Sequence, residues 1–395
     1  MKNGWQTKKL GEVLQKTETI NPMQSPETEF DYIDVSSVSN ATFQIAETQH
    51  LKGRDAPSRA RRLVKTNDVL FATVRPTLQR IAIVPEHLDN QVCSTGYFVL
   101  RPKPEVDYRF VFYSLFTEDF MGQMENLQKG ASYPAVTDSE VRAQLIPIPP
   151  LPEQQRIVGI LDEAFEGIAT AKANTEKNLQ NARALFDSHL NAVFTQCGDG
   201  WVEAKLKDLT ELITCGVAKR PEYVLEGIPF LSAKNVKNGQ VVWSGYRFVS
   251  EETHRALTKY NKPQLGDILY TRVGSYGEAA IIDREVEFSI FVSLTLIKPK
   301  SVLLNAFLKH YLNSSTVKQL AAASINGVGV GNLNVGAVRE FPIHLPSVTE
   351  QRTIVAALDD LREKTQCLES IYQQKLAALD ELKKSLLHQA FTGAL

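Results

Sequence analysis

The chain contains a long internal repeat, because the stretch that begins at Gly4-Trp5 recurs at Gly200-Trp201 and the correspondence continues for about 195 residues. Further matches follow in the same order along both copies: Tyr32-Ile33 with Phe230-Leu231, Asp68 to Phe71 with Asp267 to Tyr270, Arg101-Pro102 with Lys298-Pro299, Gly130 with Gly327, Val141-Arg142 with Val338-Arg339, and Glu153-Gln154 with Glu350-Gln351. A repeat of this length forms two domains, whereas solenoid units run roughly 20 to 50 residues. Two similar but unequal copies predict a protein that performs one kind of task at two places.

The bulk composition is that of a globular protein. At 395 residues the chain can bury two separate cores. It has no run of about 18 apolar residues that would suit a membrane span, and Met1 to Trp5 lacks the apolar core of a secretory signal. We therefore expect a cytoplasmic protein with no membrane partner. The four cysteines lack metal-ligand spacing, which favours free thiols over a metal site.

Each repeat has two parts that differ in their sequence pattern. The first part alternates short β-like runs with Gly, Pro and Asn turns, which predicts an α+β class with an irregular, mostly antiparallel sheet. The predicted strands are Val69 to Val74, Ile81 to Val84, Tyr97 to Leu100, Ile268 to Arg272, Ala279 to Ile282 and Leu294 to Ile297. Helical stretches are predicted over Phe110 to Met121 and Ala306 to Ala323.

The second part follows a proline-rich hinge and has the spacing of a long helix. Apolar residues recur at three and four residue intervals, at Ile157, Leu161, Ala164, Ile168, Ala171, Ala182 and Leu185, and again at Ile354, Leu358, Leu361, Leu368, Tyr372, Leu379, Leu382 and Leu386. A pseudo-two-fold between the repeats would pair the two helices antiparallel as a coiled coil. The alternative is that each helix folds back on its own domain. The expected domains are 1–150 and 199–347, with helices at 151–198 and 348–395.

Candidate binding residues fall in two groups. The first is a basic run, Lys52, Arg54, Arg59, Arg61, Arg62 and Lys65, together with Lys219 and Arg220. The run is either a phosphate-contacting patch or a solvated charged face. The formal net charge of −1 argues mildly against a wholly basic nucleic-acid-binding face.

The second group lies in polar loops that follow strands at equivalent positions of the two copies. Their candidate residues are Arg75, Thr77, Gln79, Arg80, Lys129, Ser132 and Tyr133 in the first copy, and Arg272, Ser275, Tyr276, Asn326 and Asn332 in the second. Side chains of these types contact base edges, and glycine permits close approach to phosphates. The same residues also build ordinary turns. Among them, we assign base-edge contacts to Arg75, Gln79, Ser132, Arg272, Tyr276 and Asn332.

No catalytic constellation is present in the sequence. The seven histidines are scattered, and neither a metalloprotease motif, a nucleophile elbow nor a phosphate-binding loop occurs. Gly327 to Gly331 has the wrong spacing for a dinucleotide loop. We expect no metal, no cofactor and no catalytic residue on this chain.

Four segments resemble the specificity subunit of Type I restriction-modification systems: "PIPPLPEQQRIVGILD", "FPIHLPSVTEQRTIVAALDD", "GDILYTRVGSYGEAAI" and the ending "LKKSLLHQAFTGAL". The resemblance runs through both repeats. It implies that each globular part is a target-recognition domain for half of an asymmetric, split sequence in double-stranded DNA. It also implies that the helices set the gap and dock methyltransferase subunits, two per chain from the two equivalent faces, with restriction or translocase subunits as a further possible partner. S-adenosylmethionine, ATP and Mg would belong to those partner subunits.

Two other interpretations stay open at this stage. An enzyme, such as a fused methyltransferase, should carry a cofactor loop and an Asn/Asp-Pro-Pro-aromatic motif, which are missing. A coiled-coil scaffold with duplicated protein-recognition domains would show no salt-sensitive binding to DNA.

Overall fold

The computed structural model describes residues 4–274, 276–326 and 331–395. The chain forms two compact units: unit 1 comprises Met1–Glu176 and Gln374–Leu395, and unit 2 comprises Lys177–Gln373. Each unit therefore contains one globular part and sections of both long helices.

In chain order, the first repeat contains β1 (Gln6–Lys9), β2 (Glu29–Ile33), β3 (Gln49–Lys52), β4 (Ala60–Leu63), β5 (Val69–Ala72), β6 (Ile81–Ile83), β7 (Val92–Ser94), β8 (Tyr97–Leu100), α1 (Tyr108–Ser114), α2 (Glu118–Leu127), α3 (Asp138–Arg142), β9 (Leu145–Ile148) and α4 (Leu151–Gln196). Its sheets are β6-β5-β8, β3-β2-β7-β4 and β1-β9, and β2 and β7 are parallel. The other paired strands of this repeat are antiparallel.

In the second repeat, the elements are β10 (Val202–Lys205), β11 (Thr210–Cys215), β12 (Ile228–Leu231), β13 (Val236–Lys237), β14 (Gln240–Val241), β15 (Arg247–Val249), α5 (Glu251–Leu257), β16 (Ile268–Thr271), β17 (Ala279–Ile281), β18 (Ser289–Ile290), β19 (Leu294–Pro299), α6 (Asn305–Asn313), α7 (Ser315–Ala323), β20 (Ile325–Asn326), β21 (Asn332–Leu333), α8 (Val335–Arg339), β22 (Pro342–Leu345) and α9 (Val348–Thr392). The strand order β19-β16-β17 and the parallel pair β12-β18 correspond to β8-β5-β6 and β2-β7 of the first repeat, and β11 adds a fourth strand beside β19. None of the described helices is both long enough and apolar enough to cross a membrane.

The central strand of each repeat is buried on both faces, which explains its uninterrupted apolar sequence. In β5, Val69 and Phe71 pack into the core beneath α1 and α2, whereas Leu70 and Ala72 point to a second core on the opposite face. Strand β16 divides in the same way. The predicted α+β class, with two similar globular domains and antiparallel long helices, is confirmed.

Each single helix predicted before the hinge is divided in two by a hydroxyl cap. Thr117 accepts a hydrogen bond from the backbone of Phe120 at the start of α2, and Ser314 accepts one from Val317 at the start of α7. A Ser or Thr side chain that accepts from the first turn favours a new helix start over continuation. The sequence pattern did not distinguish this cap from a polar position within a helix.

A buried glutamine fixes the start of each long helix to its globular part. Gln154 accepts a hydrogen bond from the Asp107 backbone at 2.9 Å and donates to the Pro149 carbonyl at 2.8 Å. Gln351 accepts from the Leu304 backbone at 2.8 Å and donates to the Pro346 carbonyl at 3.0 Å. Since buried amide groups must be paired, these bonds account for the glutamine of both hinges.

Within each unit, sections of α4 and α9 lie antiparallel. The predicted seam is partly wrong, because Leu185, Leu368 and Leu382 are exposed. Thr175 and Thr365 are buried instead, and their hydroxyls donate to the carbonyls one turn earlier in their own helices. A back-bonded threonine is a small, satisfied side chain, so it fits where two helices approach closely.

One buried polar contact differs between the repeats. In unit 1 the Tyr113 hydroxyl donates to Asp162 at 2.5 Å. In unit 2 the equivalent pair is His310 and Asp359, with Nε2 of His310 2.8 Å from the carboxylate. Burial, followed by the charge of Lys309, lowers the pKa of His310 to about 4, although Asp359 opposes the shift and Arg362 adds to it. His310 is therefore neutral at pH 7.

We expect His310→Tyr, which copies the unit 1 contact, to weaken the acid sensitivity of the fold. An unfolded histidine binds its proton near pH 6.5, whereas folded His310 resists until about pH 4, so stability is full above pH 6.5 and falls towards pH 4. Urea unfolding at pH 7 and pH 4.5 should show a smaller loss of unfolding free energy for the variant than for the wild type. His344→Tyr, at an exposed position of β22, is the control and should behave as the wild type. An equal loss in His310→Tyr and wild type would contradict the assignment.

Candidate nucleic-acid interface

In unit 1, the two polar loops singled out from the sequence lie side by side. Val74 forms a β-bridge with Ala135, and the Arg75 backbone donates to the Pro134 carbonyl at 2.7 Å. The Arg75 guanidinium donates to the Ser132 carbonyl at 3.2 Å and lies 5.0 Å from the centre of the Tyr133 ring. The Tyr133 side chain is 72% exposed. The fold thus presents a cation and an aromatic ring together at the surface.

The backbone of the first loop is held in a conformation that side chains rarely adopt. Arg75 and Gln79 have φ angles of +51° and +52° in the left-handed region, on either side of a 3-10 turn at Pro76–Leu78. A non-glycine residue there costs about 1 to 3 kcal/mol, and such strain is found preferentially at functional sites. Arg75 is exposed at this turn.

Other candidates of this loop differ in their exposure. Thr77 is exposed, whereas Gln79 is half-buried and lines a cleft that Phe165 and Lys172 of α4 also border. The guanidinium of Arg80 donates to the carbonyl oxygens of Val35, Ser36 and Val38 at 3.0 to 3.2 Å. Arg80 therefore clamps a turn of its own domain, which does not fit the predicted DNA contact.

The same pairing of loops recurs in unit 2. Val273 forms a β-bridge with Asn332, and the Leu333 backbone donates to the Arg272 carbonyl at 2.9 Å. Tyr276 lies beside Gly331, and both Tyr276 and Asn332 are exposed. Equivalent loops therefore present Arg75, Ser132 and Tyr133 in unit 1, but Tyr276 and Asn332 in unit 2.

Arg272 has a different environment from the one predicted. Its side chain is buried, with Nε donating to the Leu333 carbonyl at 2.8 Å and Nη1 to the Val292 carbonyl at 3.1 Å. A guanidinium that binds backbone carbonyls inside the domain would have to break those bonds to reach a guanine edge. In this structure Arg272 joins the two loops, and its predicted base contact stays a prediction.

Most cations of the basic run are paired with carboxylates that are distant in sequence. Lys52 and Arg54 lie within 3.9 and 3.0 Å of Glu27, Arg62 within 2.7 Å of Asp138, and Lys65 within 3.9 Å of Glu18. Arg61 donates to the carbonyl of its neighbour Ala60. Arg59 is exposed and has no ion pair among the described residues. Four of the six cations are therefore held in ion pairs, and the phosphate-contacting role of the run stays a prediction.

Three further candidates complete the set. Lys129 is 83% exposed and 3.2 Å from Glu140, so it is partly neutralised. Ser275 lies outside the described residues. Asn326 is the last residue of β20, and its side chain also lies outside the described part of the chain.

The structure adds a basic cleft in unit 2 that the sequence did not reveal. It has a volume of about 340 Å³ and is lined by Arg220, Tyr223, Lys234, Tyr246, Arg247 and, from the loop after β16, Val273. Arg247 lies 4.6 Å from the Tyr223 ring centre. Among the described residues, Arg220, Lys234 and Arg247 have no carboxylate partner. Cations next to aromatic rings suit the binding of phosphates and bases. These residues come from separate segments of the chain, so the sequence does not show that they lie together. Lys219, next to Arg220, is also exposed.

We expect Arg272→Ala and Arg220→Ala to separate a structural arginine from a surface one. Removal of the Arg272 guanidinium leaves two carbonyls without their charged donor, so the unfolding free energy should fall by about 1.5 to 3 kcal/mol. Arg220→Ala should change it by less than about 0.5 kcal/mol. Denaturant unfolding of the two variants measures both values. Equal stability of the two variants would contradict the structural role of Arg272.

Comparison with known proteins agrees with this architecture. The family model described as "Type I restriction modification DNA specificity domain" matches residues 2–181 and 198–376. The specificity subunit of the Type I restriction enzyme EcoBI from Escherichia coli is 23% identical over 337 residues, which are 79% of this chain and 70% of that protein. The EcoKI specificity subunit from Escherichia coli strain K12 is 25% identical, over 78% of this chain and 70% of that protein.

Solved structures give the same result. The HsdS subunit from Thermoanaerobacter tengcongensis superposes with a TM-score of 0.73 at 28% identity, covering 100% of this chain and 98% of that one. A chain from a study of complex assembly and conformational transition in the type I R-M system superposes with a TM-score of 0.87, also at 28% identity, over 100% and 99% of the two chains. Since the family model spans both repeats, the chain belongs to the Type I restriction modification DNA specificity domain family.

Proposed function

We propose that this chain is the DNA sequence-recognition subunit of a Type I restriction-modification complex. Each globular part reads one half of a bipartite target in double-stranded DNA. The chain itself catalyses nothing, and it works in the cytoplasm. Methylation and cleavage belong to partner subunits, which hold S-adenosylmethionine, ATP and Mg.

The observation that carries the proposal is the repeated pair of exposed loops. Each unit places the same two loops side by side at the end of its central sheet, yet the exposed side chains differ, with Arg75 and Tyr133 in one and Tyr276 and Asn332 in the other. Direct readout depends on the hydrogen-bonding groups and shape of such side chains. Two different readers on one chain therefore select an asymmetric target.

The long helices support the docking and spacing roles. At about 1.5 Å per residue, α4 with 46 residues and α9 with 45 residues are each about 70 Å long. At about 3.4 Å per base pair, readers at the very ends of such helices would be separated by at most about 20 base pairs, and lateral attachment would shorten the gap. Leu185 and Leu368 in unit 2 and Leu382 in unit 1 are large apolar side chains exposed on these helices. Exposed apolar groups on an otherwise polar helix suit contact with a partner, which we propose to be two methyltransferase subunits.

We expect the triple variant Arg220→Ala, Lys234→Ala, Arg247→Ala to weaken the salt dependence of DNA binding. Each lost phosphate contact reduces the slope of log K against log salt by about 0.9, so three reduce it by up to about 3. The measurement is DNA affinity against salt concentration for the chain in complex with its methyltransferase subunit.

The control is Arg255→Ala, since Arg255 is 75% exposed and already paired with Glu251 within α5. This variant should keep the wild-type slope. An unchanged slope in the triple variant would remove the basic cleft from the interface. No salt-sensitive DNA binding by the wild-type complex would instead favour a protein-binding scaffold.

A further inference from the structure

Ion pairs join the two long helices at one position in each unit. In unit 1, Nζ of Lys172 on α4 lies 2.5 Å from Oδ1 of Asp380 on α9. In unit 2, Nε of Arg183 on α4 lies 2.9 Å from Oε2 of Glu369 on α9. In both pairs α4 supplies the cation and α9 supplies the carboxylate.

The repeat relates these two pairs to each other with their charges exchanged. The helices correspond with an offset of 197 residues, which aligns Gln154 with Gln351. The same offset aligns Lys172 with Glu369, and Arg183 with Asp380. Equivalent positions of the two helices thus carry opposite charges.

In a second set of contacts between the two helices, each helix again supplies one type of side chain. In unit 1, Lys383 of α9 lies 5.1 Å from the ring centre of Phe165 on α4. In unit 2, Arg362 of α9 lies 5.4 Å from the ring centre of Phe186 on α4. The offset aligns Phe165 with Arg362 and Phe186 with Lys383, so α4 supplies both rings and α9 both cations.

These contacts would be lost if either helix met a second copy of itself in the same register. If two α4 helices paired in this register, Lys172 of each copy would lie opposite Arg183 of the other copy. If two α9 helices paired, Glu369 of each copy would lie opposite Asp380 of the other copy. Arg362 of each copy would likewise lie opposite Lys383 of the other copy. Every one of these contacts joins like charges, whereas each contact between α4 and α9 is attractive.

Some apolar positions do not make this distinction, because Leu161 and Leu358 hold the same residue at corresponding places of the two helices. We infer that the charged and aromatic residues of α4 and α9 form a pairing code, which makes each helix select the other and reject a second copy of itself. Flanking charges set partner choice in paired helices in this way. The interaction partner of each helix is therefore the opposite half of this chain, so the two unequal globular parts are always combined.

The first test uses the full chain. Lys172→Glu and Asp380→Lys should each lower the midpoint of thermal unfolding, because each leaves two like charges in contact. The two changes together restore the pair with reversed signs and should recover most of the loss. If the double variant loses as much as the two single variants combined, the pair contributes no specific attraction.

The second test measures partner choice directly. A protease site inserted after Asp199, in the exposed turn between α4 and β10, allows the folded chain to be cut into an N-terminal and a C-terminal part. Two cut preparations with different tags on the N-terminal part are mixed under mild denaturant, refolded and captured by one tag. Wild-type N-terminal parts should capture C-terminal parts and very little of each other.

The decisive comparison is between Lys172→Glu and the variant Lys172→Glu, Arg183→Glu. The single change makes α4 complementary to itself, since the introduced carboxylate would meet Arg183 of the other copy twice. The double change restores like charges at both contacts. Capture between N-terminal parts should rise at least about three-fold in the single variant but not in the double variant, given the modest strength of exposed ion pairs. Equal capture in the two variants, or wild-type N-terminal parts that capture each other as well as C-terminal parts, would overturn the inference.

Discussion

The structure depends on the burial of both long helices in the core of each globular part. In unit 1, Ile157 and Leu161 of α4 share one apolar core with Leu387 and Ala390 of α9. In unit 2, Leu190 and Phe194 of α4 pack with Leu358 of α9. Equivalent aromatic contacts lie at both places, between Phe110 and Phe391 at 4.8 Å and between Phe194 and Phe307 at 5.2 Å. The core of either repeat is therefore completed by a helix of the other.

This mutual completion explains why a duplicated chain has diverged as it has. The buried glutamines and the apolar residues next to the hinges, such as Leu161 and Leu358, are the same in both copies, and each holds a helix against a domain. The residues that need not match are those that face outwards or across to the other helix. There the copies differ, in the exposed side chains of the paired loops and in the charges of the two helices. Residues that are the same in both copies hold the helices against the domains, and residues that differ between the copies determine what each half contacts.

Much of this frame could be predicted from the sequence. The repeat, the hinge and the seam indicated two domains and two helices, because apolar spacing and proline positions report directly on local structure. The contact partners of individual polar residues could not be predicted. Arg272 and Arg80 bind carbonyls that come from other parts of the chain, and four of the six cations of the basic run are paired with Glu18, Glu27 or Asp138. A side chain's partner depends on tertiary contacts that one-dimensional spacing does not contain, and the same applies to the basic cleft of unit 2.

The most direct test of the account is to map every methylated base in a methylation-free host that expresses this chain with its methyltransferase subunit. The account predicts one asymmetric, bipartite motif with a fixed unread gap, and exchange of residues 1–150 for those of another specificity subunit should change one half of the motif only. A contiguous motif, or a change in both halves after the exchange, would contradict two independent readers on one chain.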